Sequence, residues 1–218
     1  MLSVRTFENN LAKAANLLQD DIAAQSGDRV TVHLPPHWQS AVWLGACAAV
    51  GATSWIDGDD TDPRTVLSLV RPEASDPSLA PTTLRVSLHP LGLPPTSPPP
   101  PGVLDASVET RRHGDVFLAY APAGPHDTWL VCGDWSWTQS QALAAAAELA
   151  SGFGVGVGHR VLVRTSSTHV DQRFLAAVVA MPIVTDGSVV LLTDPDADAS
   201  DVASRERCEV ALDLDGLT

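Results

Sequence analysis

Apolar residues recur at Leu11, Ala14, Ala15, Leu18 and Ile22, three or four positions apart. That spacing gives a helix one buried stripe, so it predicts a helix over Phe7 to Ala24. Gly27-Asp28-Arg29 breaks the pattern, and Val30 to Leu34 reads as a short buried strand that Pro35-Pro36 ends. Helical spacing returns from Trp38 to Val50, Gly51 supplies a C-terminal stop, and Thr53 to Ile56 is a second strand. The order then recurs. Ser136 or Thr138 caps an alanine-rich helix over Gln139 to Phe153, Gly158-His159-Arg160 breaks it, and Val161 to Val163 is a strand. A helix over Val170 to Met181, capped by Thr168, a turn at Asp186-Gly187 and a strand over Ser188 to Leu192 complete the second copy. Arg29 and Arg160 align the two copies at an offset of about 130 residues.

Strands alternating with helices predict an α/β fold of two βα sub-lobes, with parallel or mixed sheets covered by helices. The first sub-lobe is expected over residues 1–93, a proline-rich linker over 94–115 and the second sub-lobe over 116–218. Within Arg71 to Gly102, Thr82 to Leu88 reads as a strand and Pro94 to Gly102 as an extended, solvated stretch. Val116 to Tyr120 and Thr128 to Cys132 read as a strand pair around Ala121 to Asp127. Thr193 to Arg207 is a loop or weak helix before a last strand at Cys208 to Leu214.

Composition narrows the classes of function. The 218 residues are 44% hydrophobic and 18% charged, with a formal net charge of −13. Such a surface repels nucleic-acid phosphates and anionic membranes, so neither partner is expected. No apolar stretch reaches the ~20 residues that cross a bilayer, and the N-terminus has no secretory pattern. Cys47, Cys132 and Cys208 are odd in number and widely spaced, which reads as free thiols in a reducing, cytoplasmic compartment. Of the 13 basic residues, 12 are arginine, so chemistry that needs a lysine has only Lys13.

Several clusters carry potential chemistry. His33 and His37 flank a Pro-Pro turn but lack further ligands at metal spacing. Ser166, Ser167, His169 and Asp171 hold a nucleophile, base and acid, although capping explains the hydroxyl run more simply. The glycines from Gly152 to Gly158 follow a helix and open a strand, the reverse of a dinucleotide fingerprint, so they read as a helix stop. Trp129, Trp135 and Trp137 suit a ligand platform, or, as Trp near strand ends more often does, a core or a partner surface.

Gly27-Asp28-Arg29-Val30-Thr31-Val32-His33-Leu34-Pro35, the helix after it and Gly51-Ala52 resemble the first βα unit of acyl-CoA synthetases and peptide-synthetase adenylation domains. The second copy resembles that family's next unit, with His169 at the histidine of its F-H-x-x-G segment. The resemblance covers nearly the whole chain and about the first half of a full adenylation domain. It is closer still to short AMP-binding-enzyme-like proteins of high-GC Gram-positive bacteria, a lineage that implies no activity. The family's phosphate loop, T-S-G-T-T-G-x-P-K-G, corresponds to Ala121, Pro122, Ala123, Gly124, Pro125, His126 and Asp127. Alanine and proline stand where hydroxyls should be, the lysine is missing, two N–H donors are lost to proline, and Asp127 adds like charge. The family's later motifs have no counterpart either. The resemblance therefore implies a non-catalytic relative that works as a binding, scaffolding or regulatory subunit with a protein partner or as a homo-oligomer, without a cofactor. The alternative is a nucleotide or acyl binder with residual ligase activity, in which Arg160, Arg164 and Arg173 converge on the anion.

Overall fold

The computed structural model describes residues 4–74 and 78–217. The chain divides into two compact units. One comprises Leu2–Leu34 with Val42–Gln139, the other Pro35–Ala41 with Ser140–Thr218.

The larger unit is built on a seven-stranded sheet, ordered β5-β4-β3-β1-β2-β6-β7. Its strands are β1 (Arg29–Val32), β2 (Thr53–Ile56), β3 (Thr65–Val70), β4 (Thr83–Arg85), β5 (Leu104–Asp105), β6 (Thr128–Cys132) and β7 (Trp135–Thr138). All neighbours pair in parallel except β6 and β7. Helix α1 (Val4–Asn16) continues through a wider π turn over Leu17–Asp21, and it buries Ala12, Ala14, Ala15, Leu17 and Leu18. Helix α2 (Trp38–Val50) contributes Val42–Val50 to this unit and buries Val42, Trp43, Leu44, Ala46, Cys47 and Val50. Gly45 is where α1 and α2 meet, because a Cβ there would lie 2.7 Å from Leu11 Cδ1. Val30 and Val32 are fully buried, each contributing about 1.5–3 kcal/mol by removal from water.

This sheet extends well past residue 93: β5, β6 and β7 belong to it, and the short helix α3 (Ala106–Glu109) follows β5 directly. Residues 94–115 are therefore not a free linker. The strand expected over Thr82 to Leu88 shortens to β4, and its Arg85, only 2% exposed, holds the proline-rich stretch. Its guanidinium donates to the carbonyls of Ser97 (2.7 Å) and Pro98 (3.2 Å) and faces Asp105 at 3.5 Å. Val116 to Tyr120 does not form a strand either. The partner of β6 is β7, across the tight turn at Gly133-Asp134, because that pairing needs no excursion through residues 121–127.

The smaller unit holds α4 (Gln139–Gly152), β8 (Arg160–Arg164), β9 (Ser188–Leu192), α7 (Ala199–Glu206) and β10 (Val210–Asp213). Between β8 and β9 run α5 (Gln172–Phe174), a π stretch over Leu175–Ala180 and α6 (Met181–Thr185). Its sheet is parallel in the order β10-β8-β9. Asp171, not Thr168, is the N-cap here, its carboxylate accepting the Phe174 N–H at 2.9 Å.

The repeat read from the sequence is a repeat of hydrogen bonds. Gly27 and Gly158 both have positive φ (87° and 77°), which a Cβ would strain. The N–H groups of Thr53 and Ser188 reach the carbonyls of Asp28 (2.8 Å) and His159 (3.0 Å). Arg29 then registers with Thr53 as Arg160 does with Ser188.

Candidate functional site

Residues 121–127 form the surface connection into β6 and close on themselves. Gly124-Pro125-His126-Asp127 is a β-turn in which the Gly124 carbonyl accepts the Asp127 N–H at 3.1 Å and Pro125 occupies the second position. The Asp127 carboxylate folds back and accepts the Gly124 N–H at 2.8 Å. Pro122 and Pro125 have no N–H to offer. The loop feeds a strand and not a helix, so no helix dipole backs it. The first N–H of α4, from Gln139, donates to the Asp127 carbonyl at 3.0 Å. An anion approaching this turn meets a carboxylate on its central donor.

Lys13 sits in α1, ion-paired to Asp115 at 2.6 Å and donating to the His113 carbonyl at 3.2 Å. Two local bonds to other residues thus hold the ammonium in place.

His169 is exposed in the loop between β8 and α5. Ser167 Oγ donates to its carbonyl (2.7 Å) and accepts its N–H (3.2 Å). Asp171 caps α5 and pairs with Arg173 at 2.7 Å. The Ser166 N–H and Thr165 Oγ1 both donate to Asp215, which holds that carboxyl below its ordinary range. Ser167 and Asp171 thus serve local backbone and turns. The three arginines do not converge. Arg160 and Arg164 open and close β8, about 13 Å apart along a strand. Arg160 donates to the Glu206 carbonyl (2.9 Å), and Arg173 to those of Leu214 (3.1 Å) and Leu217 (3.2 Å).

Sequence reading missed the polar face of β1. Val30 and Val32 point to the apolar side, so Arg29, Thr31 and His33 share the other. Loop 57–62 lies over them: Arg29 pairs with Asp62 and Thr31 Oγ1 with Asp60. His33 faces Asp57 through Nδ1 and Asp60 through Nε2, both at 3.4 Å, while Ser68 Oγ donates to Asp60 at 3.2 Å. The Arg29 guanidinium also stacks 3.7 Å from the Trp55 ring. Strand order reverses around β1, the place where open α/β sheets bind ligands beyond their carboxyl ends. Here side chains paired with one another occupy it. The signal available in the sequence was the run Asp57 to Asp62 set against the alternation Arg29, Thr31, His33.

His37 sits apart from this set. Burial lowers its pKa to about 4, and its Nδ1 accepts the Gln39 N–H at 3.2 Å. Among the described residues no group of three or more His, Cys, Asp or Glu side chains is arranged to hold a metal ion. Trp129 is core, 3% exposed, with Nε1 donating to the Leu44 carbonyl at 2.8 Å, while Trp135 and Trp137 lie 4.4 Å apart on the edge strand β7. No described helix is long and apolar enough to cross a membrane.

No family model matches the chain. A TIGR03089 family protein of Mycobacterium tuberculosis is 35% identical over 128 residues, which cover 57% of this chain and 52% of the relative. The chain thus spans about half the length of the curated relative it matches. Two solved structures superpose on 95% of the chain. They are the anthranilate CoA ligase AuaEII in complex with anthranoyl-AMP (TM-score 0.67, 13% identity) and the acetoacetyl-CoA synthetase of Streptomyces lividans (TM-score 0.69, 18% identity). The chain covers 43% and 36% of them respectively. At those identities the likeness concerns fold alone, and the fold is that of part of an adenylate-forming acyl-CoA ligase.

Proposed function

We propose that this chain is a non-catalytic relative of AMP-binding enzymes, acting as a binding, scaffolding or regulatory subunit in the cytoplasm. The observation that carries the reading is the Asp127 carboxylate on the Gly124 N–H, within the loop that the sequence resemblance sets at the family's phosphate loop. A triphosphate of about four negative charges would have to displace that carboxylate, with no lysine and no converging arginines to compensate. The three free cysteines fit a reducing compartment.

The test is ATP–pyrophosphate exchange by the purified chain with mixed carboxylic acids, beside thermal-shift measurements with ATP, AMP and acyl-CoA. No exchange above the level without enzyme is expected, and no stabilisation by ATP. Robust exchange would overturn the reading. Stabilisation of ~2.7 kcal/mol, the effect of a ligand at 100 times its dissociation constant, would replace it with a nucleotide or acyl binder.

A further inference from the structure

Residues 114–120 run beside α1 as an extended segment, and only one of its two edges is occupied. Asn16 Nδ2 donates to the carbonyls of Gly114 (3.1 Å) and Val116 (3.0 Å), and Gln19 Nε2 to that of Leu118 (3.2 Å). The Tyr120 N–H returns a bond to Gln19 Oε1 at 2.8 Å. All these backbone groups belong to even-numbered residues. In an extended chain the N–H and C=O of one residue point to the same edge, and successive residues alternate. Asp115, Phe117 and Ala119 therefore turn their backbone groups to the opposite edge, where among the described residues they form no hydrogen bond. Val116, Leu118 and Tyr120 line one face and are 82%, 81% and 80% exposed.

We propose that this open edge is a pairing strand for a second copy of the chain, which adds its own residues 115–119 antiparallel about a two-fold axis at Phe117. The register follows from the alternation. Phe117 is the middle of the three residues with outward groups, so centring the axis there lets every N–H and C=O of Asp115, Phe117 and Ala119 meet a partner. Phe117 then faces Phe117, Asp115 faces Ala119, and Val116 faces Leu118 twice on the exposed apolar face. Those two pairs occupy the non-hydrogen-bonded positions, where cross-strand side chains approach most closely.

Charge fits the same occupant. The only charged residue between 115 and 120 is Asp115, which Lys13 neutralises at 2.6 Å, and the register sets it opposite an alanine. Two chains of net charge −13 can therefore approach here without like charges in register. The segment also lacks the lysine, proline or bulge by which exposed strand edges are kept unpaired. A closed two-fold pairing uses this edge up, whereas an unrelated strand would not need the self-complementary register. The pairing does not depend on the reading of residues 121–127.

Sedimentation velocity of the full chain over a concentration series tests the proposal. The expected result is a reversible species of twice the 22.9 kDa chain mass, strengthened by added salt as repulsion is screened. Ala119→Pro removes one outward N–H, lost twice across the axis, and leaves the Leu118 carbonyl and Tyr120 N–H with Gln19. It should raise the dissociation constant on the order of tenfold or more with an unchanged circular dichroism spectrum. The double variant Val116→Lys/Leu118→Lys alters exposed side chains only and should be monomeric. A wild-type chain that stays monomeric at every concentration, or a dimer that survives both variants, would overturn the proposal.

Discussion

The Asp127 carboxylate holds the Gly124 N–H at 2.8 Å, and the Gly124 carbonyl holds the Asp127 N–H at 3.1 Å. This reciprocal pair makes residues 124–127 a self-satisfied turn. A phosphate cradle needs N–H groups that are free and convergent, and this turn consumes the Gly124 N–H while Pro122 and Pro125 supply none.

Asp127→Ala should remove one part-buried hydrogen bond and cost about 1 kcal/mol. The denaturant midpoint would fall with an unchanged slope, and exchange of the Gly124 amide would accelerate. The variant is also expected to remain without pyrophosphate exchange, since the prolines and the missing lysine stay as they are.

Arg85 joins β4 to the proline-rich stretch through two carbonyls, with Asp105 as its counter-charge. Arg85→Met keeps an apolar stem but leaves Asp105 without its cation. Breaking a buried pair from one side costs about 3–5 kcal/mol, seen as a lower thermal midpoint and faster protease cleavage within residues 94–102. Arg85→Lys should not restore stability, because an ammonium cannot fork to both the Ser97 and Pro98 carbonyls.

Tyr120 is the only tyrosine in the chain, so absorbance near 295 nm reports its ionisation alone. Its hydroxyl donates to Asp20 Oδ1 at 2.9 Å, and that bond together with the carboxylate charge raises its pKa above 10. Asp20→Asn should bring the titration midpoint down towards 10. A midpoint identical in the two proteins would mean that the contact does not persist in solution.

The legible parts of the sequence were those written by periodicity and punctuation. Helix α2 and strand β2 fall where apolar spacing and Gly51 put them, and the Gly27 and Gly158 turns repeat because only glycine takes their backbone angles without strain. Val116 to Tyr120 has the alternation of a strand without a strand's partner. Alternation records which residues share a face and says nothing about which edge is filled. Arg85 and the β1 polar face were hidden for a related reason: a buried arginine, or three polar residues facing three aspartates, becomes intelligible only once distant segments have been brought together. The β4 and β6 sheet positions likewise depended on pairings that no local pattern encodes.

His37 predicts a specific acid sensitivity. Burial disfavours its charged form, so the folded chain resists protonation until about pH 4, whereas the unfolded chain takes up the proton near its ordinary 6.5. Between those values the unfolded state binds more protons, and stability is lost progressively as pH falls below 6.5; above it His37 contributes no slope. His37→Asn keeps an acceptor where Nδ1 meets the Gln39 N–H and removes the titration. Denaturant midpoints measured from pH 7 to pH 4 should therefore fall less steeply for the variant than for wild type. The difference should open below pH 6.5, and parallel curves would show that His37 titrates alike in the folded and unfolded chains.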